Sequence, residues 1–191
     1  ISTSIGHYFG AESISPVSNS DAAFKDVENE VVERLQKLLQ NSSGGPSGKV
    51  TVDDVHKELG RLLWDNCGMA RNQQGLELAL EELPKIKEKF WNSVFVPGGG
   101  EDINQSLEKA GRVADFIEFG EFMIRDALAR EESCCCHLRE ESQTEENEAL
   151  RDDDNYSHVS VWEYKGDDQP PEMHKETLVF ENVTPSQRSY K

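Results

Sequence analysis

Residues 102–130 read DINQSLEKAGRVADFIEFGEFMIRDALAR, and the spacing of their apolar side chains decides the fold class. Ala110, Val113, Ala114, Ile117, Ile124 and Leu128 recur at helical spacing and mark one face. Asp102 stands where an N-cap belongs, with Gln105 three residues on, the arrangement of a capping box. The stretch is therefore expected to form one long helix ending near Arg130.

Working back toward the N-terminus, a second stripe starts near Asn72 and carries Leu76, Ala79, Leu80, Leu83, Ile86 and Phe90. Pro84 falls inside it. A proline ring removes a donor and collides with the preceding turn, so the sequence predicts a kink or a split there. Pro97-Gly98-Gly99-Gly100 closes the segment as a loop. Before it, Thr51 is placed to cap a helix whose positive end Asp53 and Asp54 would stabilise. Val55, Leu59, Leu62 and Leu63 form its stripe, with Trp64 alongside and Gly68 as the C-cap. Earlier still, Phe24, Val27, Val31, Leu35, Leu38 and Leu39 repeat at helical spacing until NSSGGPSG (41–48) stops the helix. Residues 11–22 (AESISPVSNSDA) read as a linker, and Ile1 to Gly10 as a helix end leading into it.

Beyond Cys136 the character changes. Residues 139–155 (REESQTEENEALRDDDN) are highly charged and predict an exposed, irregular stretch. Val159, Val161 and Trp162, then Leu178, Val179 and Phe180, flank the turn residues 166–171 and predict a hairpin or two strands. Three long helices joined by short loops give a mainly α chain. The expected architecture is an antiparallel three-helix bundle, spectrin-repeat-like, over residues 23–136. Residues 137–191 follow as a charged loop and β-containing tail.

Composition narrows the function. The formal net charge is −17, so the average surface field repels nucleic acid and anionic lipid. No stretch approaches the roughly 20 apolar residues of a membrane span. Cys134, Cys135 and Cys136 are adjacent, a poor disulfide framework, and together with Cys67 read as reduced thiols of a cytosolic compartment. Cys134-Cys135-Cys136-His137 invites a metal reading, but zinc sites use spaced pairs, and consecutive side chains diverge on a helix or strand. No metal ligand is assigned on that ground; a helix end packed on a partner fits better. His7, His56, His158 and His174 are scattered. Asp152-Asp153-Asp154 lacks the alternation and glycine of a calcium loop. Arg71-Asn72 has a loop-ordering and capping role. Gly98–Gly100 has no Lys-Ser/Thr after it, and no G-x-G-x-x-G occurs, so no dinucleotide site is expected.

Several segments, in order, resemble the C-terminal domain of succinate dehydrogenase/fumarate reductase flavoprotein subunits. Leu59 to Asn72, LGRLLWDNCGMARN, is similar to the family's L-x-x-x-M/L-W-D-x-x-G-x-x-R-N. Arg130 to Glu140, REESCCCHLRE, resembles R-x-E-S-R-G-A-H-x-R-E, matching at Glu132, Ser133, His137 and Arg139. Arg151, Asp152, Asp153 and Asn155 match an R-D-D-x-N element, and Arg188-Ser189-Tyr190 resembles the family's ending. The form is most similar to Bacteroidota-type enzymes. One departure stands out: Cys135-Cys136 occupies positions where the family has small residues, which implies close backbone approach there.

The resemblance implies a fragment, with residues 1–22 as the end of a preceding flavin domain and its linker. It implies succinate/fumarate interconversion with FAD in the complete subunit and electrons passed to an iron–sulfur subunit and quinone. The expected partners are the flavin domain, the iron–sulfur subunit and a membrane anchor, with no nucleic acid. The expected place is cytoplasmic, peripheral at the inner face of the cell membrane. The family's flavin-linking histidine, dinucleotide fingerprint and proton-donor arginine lie upstream of this domain. No catalytic, cofactor-binding or metal residue is therefore carried onto this chain, which alone is expected to be inactive and to bind no FAD. Glu132, Ser133, His137 and Arg139 are expected to fix the helical domain against the flavin domain. A free-standing acidic interaction module is the alternative, and a thiol sensor at Cys134–Cys136 a third reading.

Overall fold

The computed structural model describes residues 2–11, 18–166 and 169–187. Most of the expected linker and the Arg188-Ser189-Tyr190 ending lie outside them. Two compact units divide the chain at Lys37/Leu38. In the first, α1 (Ser2–Ala11) has no buried residue. Helix α2 (Ala22–Asn41) starts there, and its stripe residues Phe24, Val27, Val31 and Leu35 are all exposed. Amphipathic spacing made the helix, but only Leu38, in its last turns, is buried.

The second unit holds the bundle. Strand β1 (Val50–Thr51) leads into α3 (Val52–Cys67), and β2 (Ala70–Arg71) leads into α4 (Gln73–Ser93). Strand β3 (Val94–Phe95) follows α4, then α5 (Gln105–Ala129) and β4 (Leu138–Arg139). The two-residue ladders fix the helix directions. β1 precedes α3 and pairs in parallel with β3, which follows α4, so the start of α3 lies beside the end of α4. β2 follows α3 and pairs in parallel with β4, beyond α5, while Lys109 of α5 pairs with Asp53 in the first turn of α3. The three helices thus run up, down and up.

Their predicted stripes form the core: Val55, Leu59, Leu76, Ala79, Leu83, Ile86, Phe90, Ala110, Val113, Ala114, Ile117 and Ile124 are all buried. Gly120 of α5 faces α3, where a Cβ would meet a Leu63 methyl at 3.4 Å, an ordinary packing distance.

The structure corrects one local expectation, the cap of α5, and adds detail to three others. Helix α4 is not split at Pro84. The roughly 3 kcal/mol cost of an interior proline is offset by burial of Leu83, Ile86 and Phe90 around it, worth about 1.5–3 kcal/mol each. The N-cap of α5 is Asn104, whose side chain accepts from Leu107 N while its amide donates to Pro97 O and Gly99 O and closes the glycine loop. Asp102 does not cap. The capping box sits instead at Thr51, whose Oγ1 accepts from Asp54 N at 3.1 Å while Asp54 accepts from Thr51 N. Gly68 ends α3 with extended backbone rather than a left-handed cap. It is small because a Cβ would lie 2.6 Å from Trp64 O.

The tail differs more. Helix α6 (Asp153–Tyr156) precedes a hairpin of β5 (His158–Glu163) and β6 (Glu172–Thr177), registered from His158↔Thr177 to Glu163↔Glu172. The second strand is the polar run EMHKET, not Leu178–Phe180. A strand exposed along nearly its whole length carries no apolar alternation, so its sequence hides it. Residues 139–155 are likewise not a loose charged loop: Arg139 is only 3% exposed, and a bridge joins Gln143 to Ala149.

Candidate functional site

Where α5 ends, four helix carbonyls lose their intrahelical donors, and the chain supplies a buried arginine in their place. Arg139 Nη1 donates to Ala127 O at 2.9 Å, Leu128 O at 3.2 Å and Arg130 O at 3.3 Å. Its Nε donates to Glu141 Oε2 at 3.2 Å. A cation at the negative end of a helix dipole is favourable, and here one guanidinium also serves as the C-terminal cap.

Ser133 fixes the backbone of that arginine. Its Oγ accepts from Arg139 N at 2.8 Å and donates to Arg139 O at 3.1 Å, while Ser133 N donates to Leu150 O. Glu132, also 3% exposed, accepts from Arg130 Nη1 at 2.6 Å and from Asp152 N at 2.9 Å. Arg130 extends further, donating to Tyr156 O and His158 O and lying 5.6 Å over the Tyr156 ring. Asp152 in turn caps the single turn of α6, and Arg151 pairs with Asp153.

His137 joins the chain that leaves α3 to the end of α5, at one end of the bundle. Its Nδ1 lies 2.9 Å from Arg71 Nη1 and its Nε2 lies 2.9 Å from Arg130 O. Arginine only donates and a carbonyl only accepts, so Nδ1 accepts, Nε2 carries the proton, and the ring is neutral. Burial, followed by the cations of Arg71, Arg139 and Arg130, holds its pKa below that of an ordinary histidine, against the opposing bond to Arg130 O. Arg71 also donates from Nε to Gly68 O at 2.6 Å and accepts at its carbonyl from Glu140 N. Asn72 caps α4 through Gly75 N and donates to Glu140 Oε2, and Glu141 accepts from Gln73 N. Two carboxylates thus sit at the positive end of α4, as the dipole favours.

The structure brings together Glu132, Ser133, His137 and Arg139, as well as Arg71, Asn72 and the 151–155 element, into one polar knot. The sequence reading missed the Arg71–His137 contact, the cap on α5 and the bond from Trp162 Nε1 to Asp126 that ties the hairpin to α5. Partners 66 residues apart leave no local signal. Both ring nitrogens of His137 are engaged, and among the described residues no buried side-chain nitrogen or oxygen lacks a partner. Such a knot fixes the geometry of this end of the bundle.

Cys134 and His137 exchange a pair of backbone hydrogen bonds, 2.9 and 3.0 Å, around a two-residue turn. Cys135 has φ of +56°, and a positive angle at the first central residue is the pattern that favours glycine in a II′ turn. The small residues expected there answer to turn conformation, since Cys135 and Cys136 are exposed. Burial, followed by the contact with Cys135, pushes the Cys134 thiol above its ordinary value.

The knot is one surface feature; the other is apolar. Leu59, Gly60, Leu63, Phe116, Phe119 and Met123 line a shallow trough between α3 and α5. Phe119 is 64% exposed and nearby Trp64 80%.

Residues 56–190 match the fumarate reductase flavoprotein C-terminal family. The chain is similar to the fumarate reductase flavoprotein subunit of Escherichia coli, 24% identical over 169 residues, covering 84% of this chain and 27% of that protein. The corresponding subunit of Haemophilus influenzae is 21% identical over 134 residues, covering 70% and 21%. In structure the chain is similar to an Escherichia coli quinol fumarate reductase, with a TM-score of 0.71 at 20% identity, covering 90% of this chain and 27% of that one. It therefore spans about a quarter or less of the length of these relatives.

Proposed function

The chain belongs to the fumarate reductase flavoprotein C-terminal family, and from that premise we propose that it is the helical scaffold of a flavoprotein subunit interconverting succinate and fumarate. The family match carries this reading. The polar knot supports it, because the residues matching the family motif are spent on mutual hydrogen bonds. In the complete subunit, FAD would accept or give the hydride and pass electrons to an iron–sulfur partner and a quinone. We assign no FAD contact to the described residues. Among the described residues the parallel pairings are two residues long, and the glycine loop at 98–100 is closed by Asn104. No dinucleotide cradle of strand, glycine turn and helix arises from such parts.

The proposed role of the chain is to hold a rigid face against the flavin domain, residues 1–22 belonging to that domain and its linker. The exposed aromatic trough between α3 and α5 is the kind of surface such docking covers. Among the described residues no helix is long and apolar enough to cross a membrane. Attachment at the inner face of the cell membrane through partner subunits is what the family resemblance implies. The test is to recover the chain from its source cells with an antibody against the hairpin. A flavin-bearing polypeptide of full subunit length supports the proposal. A flavin-free polypeptide of 21.5 kDa refutes it.

A further inference from the structure

The cysteine triplet takes no part in the knot, yet its neighbours hold it in place. Cys134 and His137 close the turn through two backbone bonds, the His137 ring is fixed at both nitrogens, and Ser133 is pinned on the other side. The expectation that three consecutive side chains diverge assumed a helix or strand. In this turn, with Cys135 at positive φ, the Sγ atoms of Cys134 and Cys135 instead face each other at 3.7 Å.

That separation has a chemical meaning. Two thiolates bound at about 2.3 Å to a tetrahedral zinc ion lie about 3.8 Å apart. A disulfide fits less well: consecutive Cα atoms across a trans peptide are about 3.8 Å apart, inside the roughly 4.4 Å lower limit for an unstrained bridge. Cys135 and Cys136 are exposed, so an ion can enter from solvent, with water free to complete its coordination. The net charge of −17 favours cations over anions at the surface.

We propose that the Cys134–Cys135 pair is a binding site for a thiophilic divalent cation of the zinc type. Soft thiolates select such ions over magnesium or calcium. The site is independent of the scaffold role.

The experiment titrates the reduced, metal-free chain with Zn(II) against a chromophoric chelator, beside the C134S/C135S double variant. The expected result is one tight equivalent in the native chain and a loss of affinity of at least about tenfold in the variant, as metal-site substitutions produce. Alkylation of native protein read by mass spectrometry gives a second measurement, in which zinc should protect Cys134 and Cys135 from iodoacetamide. Equal affinity in the variant overturns the proposal and points to the exposed Glu163, Glu172 and His174 group on the hairpin. No zinc uptake, or uptake without protection of those two thiols, overturns it as well.

Discussion

Replacing Arg139 with methionine keeps an unbranched apolar stem and removes the guanidinium with its charge. The guanidinium donates to Ala127 O, Leu128 O and Arg130 O and pairs with Glu141. Arg130 O keeps a second donor in His137, so two carbonyls are left with no replacement from a side chain. Hydrogen bonds to a charged group contribute about 1.5–3 kcal/mol each, net. The Glu141 side chain is 45% exposed, so its charge is not stranded by the substitution. With two carbonyls unpaired, R139M is expected to lose about 3–5 kcal/mol. For a chain of this size that lowers Tm by roughly 6–20 °C. R139K should fall between, since an ammonium keeps the charge but lacks the fork that spans several acceptors. Urea unfolding followed by helix circular dichroism measures both. A loss under about 1 kcal/mol in R139M would refute the cap.

Other consequences follow from the same contacts. His137 has a depressed pKa in the folded chain, so the unfolded chain binds more protons near pH 6. Its stabilisation should be fully present above about pH 6.5 and lost as pH falls through the folded value. The urea midpoint should drop on acidification, and H137Q should flatten that part of the drop. C135G should stabilise the chain by about 1 kcal/mol, because a non-glycine residue at positive φ costs about 1–3 kcal/mol and glycine returns part of the gain as unfolded-state entropy. T51A removes the hydroxyl of the α3 capping box and should cost about 1 kcal/mol, read as a lower urea midpoint.

The bundle was legible because its stripes are local. Leu76, Leu83, Ile86 and Phe90 announce a helix face within about four turns, and Thr51 and Asn72 announce the N-caps of α3 and α4 by residue type alone. Asn104 escaped because Asp102 and Gln105 mimic a capping box two residues earlier, and only the glycine loop bonds select the asparagine. β6 escaped because its pairing partner supplies backbone bonds and ionic contacts, Lys165 bridging Glu163 and Glu172, without an apolar face. The motif residues were found through family resemblance, yet their roles were not: nothing near Arg139 in sequence says that it caps a helix ending at Ala129. The cysteine turn was misjudged for a related reason, since Cys-Cys-Cys carries none of the Gly or Asn signals that mark a primed turn.

The most direct test uses the chain purified by itself, with visible absorbance recorded and dye reduction followed on adding succinate. A scaffold whose reactive partner lies elsewhere in the subunit gives a colourless protein and no succinate-dependent reduction. A yellow protein with a flavin spectrum, or turnover of the dye, contradicts the account.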